Sequence, residues 1–544
     1  MTYEKAHGQK ALAFLMAVLM LAAAGCSQGG ETSSVGGSTE GDSSEQGSEK
    51  VTFTIAVGLN PLSKDEDFNN KEIFKLAEEA TNVHIEWMPI AAADATDKVN
   101  IMLTSDLPDA FLGLIGTDQI ASNMDSFADL AKDDLLKTYA PHIVEDYESS
   151  LSNGLDIVTW PDGSIRSLMT GPQTSYENDT EGIMFMNKEW LDKVGMDVPT
   201  TTEEFYNVLK AFKEQDANGN GVADEIPFEP SQSDWCSKIM NVANPWGIAG
   251  TDSSDESAYK MVTDGKVVGT VDTEEFRSFL EYAHMLVSEG LMDQEMFSQT
   301  SEQYHSKINE GVVGCYYTWS PYADMSESEA EKWVPVPVLE AEDGPGYVKT
   351  GSQAKFHANR CGFCITSACT DIPRLLEWWD YMGSSTELKY TSRFGPQGEA
   401  WDIDEDGNVF EKLPEDLTDD YTIENYKYTQ GMVDMGSFIT ESESATVLKE
   451  NSFTSWYRID CVEQMHDYCL PVERQLPLRF VAPEKTSERT FMETELFTYI
   501  GNFIATSVLN GVDDASWNNH LEQLKTYQYY EWLQWYQDYL DKAF

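Results

Sequence analysis

The sequence predicts an α/β protein of two lobes. Segments with strand-like alternation are followed repeatedly by segments with helical spacing, the pattern of α/β lobes with partly parallel sheets. The chain has 544 residues, longer than one hydrophobic core usually grows before it splits into two. Hydrophobic residues make up 41% of it, which supplies material for two sizeable cores.

In chain order, residues 1–26 are expected to lie outside the fold. Lys5 and Lys10 precede an apolar run at 11–24 that is too short to span a bilayer. The run ends in L-A-A-A-G-C-S, the form of a lipoprotein signal cleaved before Cys26. Acylated Cys26 would hold the protein on the extracellular face of the cell membrane. Ala23 stands where that pattern prefers Leu, and a plain secretory signal with a free Cys26 is the alternative. Residues 27–50 are Gly, Ser and Glu with almost nothing apolar, a flexible linker.

The folded body opens with V-T-F-T-I-A-V at 51–57, which alternates as a strand. A helix is expected at about 70–80 and a second strand in V-H-I-E-W from Val83. W-P-D-G-S-I-R-S-L from Trp160 contains the Asp-Gly pair of a tight hairpin. Residues 276–287 place apolar side chains at helical spacing, and G-F-C-I-T from Gly362 reads as a strand. Residues 517–540 read as one amphipathic helix, with Leu521, Leu524, Trp532, Trp535 and Tyr539 on a packing face.

The stretch D-A-N-G-N-G-V-A-D-E at 216–225 carries the clearest chemistry. A loop turning at Gly221 would aim the side-chain oxygens of Asp216, Asn218, Asn220, Asp224 and Glu225 and the Val222 carbonyl at one point, the oxygen-rich shell that Ca²⁺ requires. Pro227 occupies the twelfth position, so the Asp224–Glu225 pair must close the shell instead of a bidentate Glu. A solvated turn is the competing reading, because Asn, Asp and Gly favour turns for local reasons. Asp402, Asp404, Asp406 and Gly407 imitate a second such loop, but Phe410 and Leu413 hold its later ligand positions and a hairpin is preferred.

The run N-K-E-W-L-D-K-V-G-M-D-V-P-T-T-T-E-E-F-Y-N-V-L-K-A-F-K from Asn187, the acidic loop after it and I-P-F from Ile226 resemble the extracellular solute-binding proteins of family 1, the sugar-binding subunits of bacterial ABC importers. Within them they look most like the LipO-type lipoproteins. S-D-L-P-D-A-F from Ser105, F-A-D-L from Phe127, Y-A-P-H-I from Tyr139, E-G-L-M-D from Glu289, the strand and helix from Cys361, and R-F-G-P-Q-G-E-A-W from Arg393 extend the resemblance from about Val51 to the end. It implies a periplasmic-binding-protein-like fold, two α/β lobes with mixed sheets joined by a hinge. Lobe 1 would take residues 51–165 and 348–435, lobe 2 residues 166–347 and 436–544, with the chain returning to lobe 1 near Val348. The resemblance further implies a structural Ca²⁺ remote from the ligand, an oligosaccharide bound between the lobes, transmembrane subunits of an ABC permease as partner, and a monomer.

Composition limits the alternatives. A formal charge of −58 argues against nucleic acid, whose phosphates need a basic footprint, and disfavours polyanionic ligands. Besides Cys26 there are seven cysteines, an odd number, so at least one thiol is expected to be free and buried; Cys461 and Cys469 are a candidate pair. Cys361 and Cys364 imitate metal spacing, but strand geometry sends them to opposite faces. No H-E-x-x-H, G-x-S-x-G or phosphate-binding loop is present. With 94 acidic residues, carboxylate pairs arise by chance, so a hydrolase is not removed by composition.

A sugar offers an apolar ring face to aromatics and hydroxyls to polar groups. Aromatics beside turn residues near predicted strand ends are therefore the candidates: Trp160, Trp235, Trp246, Tyr317, Trp319 and Trp401, with Arg458 as a hydroxyl donor. The function expected is a lipid-anchored, oligosaccharide-binding subunit of an ABC importer. A binder of peptide or another polar solute, a ligand-presenting sensor lipoprotein and a polysaccharide hydrolase are the rivals.

Overall fold

The computed structural model describes residues 49–151, 153–174, 180, 182–249, 258–341, 346, 357–415, 417–418, 420–444, 453–471 and 474–542. Cys26, the signal segment, the linker up to 48 and Val348 lie outside the described residues. The described strands are β1 (Val51–Leu59), β2 (Val83–Ala91), β3 (Ala110–Leu112), β4 (Leu168–Thr170), β5 (Ile183–Asn187), β6 (Lys260–Thr263), β7 (Lys266–Gly269), β8 (Cys315–Thr318), β9 (Trp333–Pro335), β10 (Asn359–Ile365), β11 (Trp401–Ile403) and β12 (Val409–Glu411).

Two mixed sheets organise two lobes of a periplasmic-binding-protein-like fold. The first runs β2-β1-β3-β10-β4, with β1 parallel to β2 and β3, and β10 antiparallel to β3 and β4. The helix Glu72–Thr81 connects β1 to β2 and packs Ile73, Phe74 and Ala77 with Phe53, Ile55 and Val57. The helix Ala95–Thr104 connects β2 to β3 and packs Val99 and Leu103 with Ala56, in the cluster on the other face. A right-handed crossover that starts at the central strand and then reverses direction must cover opposite faces. The second sheet runs β8-β5-β9. Beside β8, residues 226–229 add a short parallel run through Ile226 against Val313 and Glu229 against Tyr316. The helix Thr202–Glu214, capped by Thr201, buries Phe205, Val208, Leu209 and Phe212 in this lobe. Full burial of such side chains stabilises by about 1.5–3 kcal/mol each.

Among the described residues, three stretches that connect the two lobes meet at Gln173. Its N–H donates to the Ile439 carbonyl at 2.7 Å, its carbonyl accepts from the His357 N–H at 2.7 Å, and its Oε1 accepts from the Glu441 N–H at 3.1 Å. A fourth link is the helix Pro483–Asn510. Arg489 near its start pairs with Asp118 of the first lobe, while Leu496, Ile500, Ile504 and Val508 are buried in the second.

Several expectations are corrected here. Residues 517–540 form two helices, Asp514–Thr526 and Tyr529–Leu540, broken where Gln528 takes φ 61°. The stripe itself is core: Leu524, Trp532, Trp535 and Tyr539 are buried. Cys361 and Cys364 lie in one apolar cluster rather than on opposite faces, because a register shift between Asn359 and Phe363 breaks the alternation of β10. All seven described cysteines are free thiols, Cys461 and Cys469 included. The 402–407 stretch is a hairpin between β11 and β12, its turn closed by Asp404 accepting from the Asp406 and Asn408 N–H groups.

Candidate functional site

In an open sheet, ligands meet the carboxyl ends of parallel strands where consecutive connections leave for opposite faces. In the first lobe that point lies between β1 and β3, where Gly58 and Gly113 sit side by side. A Cβ built on Gly113 would fall 2.3 Å from the Met435 sulfur, and Gly113 takes φ +68°. Gly113 thus leaves room for the Met435 side chain at these strand ends, in a backbone conformation that favours glycine.

The second lobe presents a matching set at the carboxyl ends of 226–229 and β8. Trp235 is 60% exposed, and Trp319 is half-buried with the Arg458 guanidinium 5.5 Å from its ring. Between them lies a polar cluster. Asp234 accepts from the Cys236 N–H at 3.0 Å and stands 3.5 Å from His305 Nε2. Burial pushes Asp234 up, but the hydrogen bonds from His305 and Cys236 outweigh it and hold the carboxyl below its usual range. The Asp234 hydrogen bond raises His305 in return. Burial raises Asp324, nearby, to about 6, and pushes the Cys236 thiol far up, which makes it inert. The cluster offers hydroxyl acceptors and a donor beside aromatic rings, which is the chemistry of polar-ligand recognition.

The other candidates are placed elsewhere. Trp160 is 2% exposed, and its ring stacks on Phe480 at 4.4 Å. Trp246 packs against Tyr282 and Phe279 at the edge of the second core. Tyr317 is buried, donating to the Asn241 carbonyl and lining an apolar cavity with Phe205, Val242 and Val336. Trp401 is fully enclosed, its Nε1 donating to the Gly395 carbonyl, in a small cluster with Tyr390 and Phe394. Arg458 is fully buried and spends its guanidinium on the Trp319 carbonyl and on Thr180. The structure thus brings Trp235, Trp319 and, behind the latter, Arg458 to one edge of the second lobe. The β1–β3 crevice was missed from sequence, since the strand order that creates it is set by long-range pairing.

The acidic loop follows the helix Thr202–Glu214, with Asp216 at φ 46° and Gly221 at φ 77°. Asp216 Oδ1 accepts from the Gly221 N–H at 3.0 Å. Asp224 accepts from the Asn218 and Asn220 amides at 2.8 and 3.0 Å, which holds its carboxyl below the usual range. Lys193 donates to the Asp216 carbonyl. Glu225 Oε1 is buried without a hydrogen-bond partner. Among the described residues no group of three or more His, Cys, Asp and Glu side chains is gathered as a metal cluster. The donor set still suits a hard cation: its side-chain ligands are oxygens, rotation of the two amides turns their oxygens towards Asp224, and Glu225 keeps an unused oxygen, with the Lys193 ammonium, 3.6 Å from Asp216 Oδ2, the group an ion would displace.

No family model matches the chain. Over 490 residues it is 25% identical to the fructooligosaccharide ABC transporter substrate-binding protein FusA of Streptococcus pneumoniae serotype 4 (strain ATCC BAA-334 / TIGR4), covering 88% of each chain. It is also 25% identical over 329 residues to lipoprotein LipO of Bacillus subtilis (strain 168), covering 60% of this chain and 59% of LipO. The structure of S. pneumoniae FusA in complex with kestose superposes with a TM-score of 0.77 at 24% identity, over 90% of this chain and 99% of FusA. An EF-hand mutant of FusA in complex with fructo-nystose superposes equally well, with a TM-score of 0.77, 24% identity and the same coverage. In sequence and fold the chain is thus similar to an ABC transporter substrate-binding protein, and over part of its length in sequence to the lipoprotein LipO.

Proposed function

We propose that the protein is the oligosaccharide-binding subunit of an ABC importer, held outside the cell by a lipid on Cys26. It takes its ligand between the two lobes and presents the closed form to the permease. The observation that carries this reading is the near full-length likeness, in sequence and fold, to FusA, which binds kestose. Trp235 and Trp319 are the ring platforms of the second lobe, with Asp234 and His305 for hydroxyls. A ligand touching both lobes favours closure because only the closed form makes both sets of contacts. The crossings at Gln173 serve as the hinge between lobes bounded at 51–165 with 348–435 and 166–347 with 436–544. The protein does no covalent chemistry in this reading.

Thermal unfolding against kestose, nystose, maltotriose, cellotriose, xylotriose, lacto-N-tetraose and a tripeptide tests the reading. One glycan class is expected to raise the midpoint, with about 2.7 kcal/mol of added stability at a hundredfold excess over Kd, and to be recovered intact. A rise with the peptide alone, or release of shorter sugars, would overturn it.

We also propose that the loop at 216–225 holds a structural Ca²⁺ through Asp216, Asn218, Asn220, Asp224, Glu225 and the Val222 carbonyl. The EF-hand named for FusA supports this, as does the unused oxygen of Glu225. EGTA is expected to lower the ligand-free midpoint by several degrees, and added Ca²⁺ to restore it. An unchanged midpoint would remove the ion.

A further inference from the structure

We propose that Asp434 is a ligand-binding residue of the first lobe, a fixed carboxylate that accepts hydroxyl hydrogen bonds from the sugar at the β1–β3 crevice. This rests on the oligosaccharide reading above and adds to it a named polar contact on the lobe opposite Trp235 and Trp319.

Four observations meet at this residue. The turn Val433–Met435 lies on the strand-end crevice, since Met435 fills the space over Gly58 and Gly113. The turn also abuts the start of the hinge: a Cβ on Gly171, which takes φ +79°, would come within 2.9 Å of the Asp434 carbonyl. Its backbone is strained, because Val433 takes φ 49°, a conformation that β-branched residues seldom adopt and that persists only where the surroundings impose it. Finally, the carboxylate stands half-exposed in front of the Arg393 guanidinium and the His357 ring. Its side chain is 51% exposed, whereas His357 behind Oδ2 at 3.6 Å is 20% exposed and Arg393 behind Oδ1 at 3.9 Å is 12% exposed.

The physical consequence is a preorganised acceptor. Burial pushes Asp434 up, but His357, Arg393 and Lys427 outweigh it and hold the carboxyl below its ordinary value, so it is ionised at neutral pH. His357 Nε2 at 3.6 Å and Arg393 Nη2 at 3.9 Å both lie beyond 3.5 Å, and the exposed half of the carboxylate keeps lone pairs for ligand hydroxyls. Position at the switch point and beside the crossings puts those lone pairs where a ligand spanning both lobes must pass.

The test is isothermal titration of the wild type, Asp434→Asn and Asp434→Glu with the same glycans, each variant first checked for a wild-type ligand-free unfolding midpoint. Asn keeps the shape and removes the charge; Glu keeps the charge and moves it along by one methylene. Both are expected to weaken the glycan that binds the wild type, Asn by roughly 10- to 100-fold. Wild-type affinity in both variants would overturn the role of Asp434 and leave the oligosaccharide reading standing. Failure of the wild type to bind any glycan would overturn both.

Discussion

Replacing Arg458 with Ala is expected to lower the unfolding free energy by about 3–5 kcal/mol. The side chain is fully buried in the helix Phe453–Met465 and works as a strut between three parts of the second lobe. Nη1 donates to the Trp319 carbonyl at 2.9 Å at the end of β8, and Nη2 donates to the carbonyl and hydroxyl of Thr180, which lies on the first crossing between the sheets. Each hydrogen bond from a charged donor contributes about 1.5–3 kcal/mol, and Ala would leave all three acceptors buried without it. Arg458→Lys keeps the charge but not the fork, so about half the loss is expected. Denaturant titration reads this as a fall in the midpoint with an unchanged slope. A loss under about 1 kcal/mol for the Ala variant would show that the strut is dispensable. Because Arg458 also backs the Trp319 ring, any affinity that survives in the Lys variant reports how far the platform depends on its support.

Much of the first sheet was legible because local alternation sets it. Residues 51–57 alternate in the sequence as a strand, and β1 spans Val51–Leu59, although both of its faces are covered from Ile55 to Val57. The 404–408 turn was legible for the same local reason, as Asp and Asn close turns through their own side chains. What failed depends on partners distant in sequence. Nothing within Asn359–Ile365 announces the register shift that moves Cys361 beside Cys364; β4 imposes it. The break at Gln528 carries no Gly or Pro, so helical periodicity runs through it unmarked. Selecting aromatics beside turn residues picked out Trp235 and Trp319, which are at least partly exposed, but also Trp401, which fills its own cluster, and Trp160, whose ring is covered by Phe480. Aromatics at strand ends close cores as readily as they meet ligands. Asp434 has no sequence signature. It is singled out by the strain at Val433 and by glycines at 113 and 171, far away in the chain.

Acid is expected to destabilise the second lobe through His520, and His520→Gln is expected to remove about 3 kcal/mol of that acid sensitivity. His520 is fully buried and stacks on Phe503 at 3.8 Å. Its Nε2 lies 2.9 Å from the Val271 carbonyl, which only accepts, so Nε2 carries the proton and Nδ1 accepts from the Tyr499 hydroxyl at 2.9 Å. The neutral ring is thereby satisfied on both sides. Burial disfavours the charged form and lowers the pKa from 6.5 to about 4, the Val271 carbonyl opposing only in part. The unfolded chain therefore binds a proton near pH 6.5 that the folded chain refuses until about pH 4. Stability from this group is complete above pH 6.5 and is lost as pH falls through that window. The fall in net negative charge works in the opposite direction by relieving self-repulsion across the whole molecule. For this reason the two proteins must be compared at each pH rather than the wild type followed alone. The Gln variant begins less stable at pH 7, having lost the ring stack, but its unfolding free energy is expected to fall about 3 kcal/mol less between pH 6.5 and 4. Parallel pH profiles for the two proteins would show that His520 takes up its proton without opening the core.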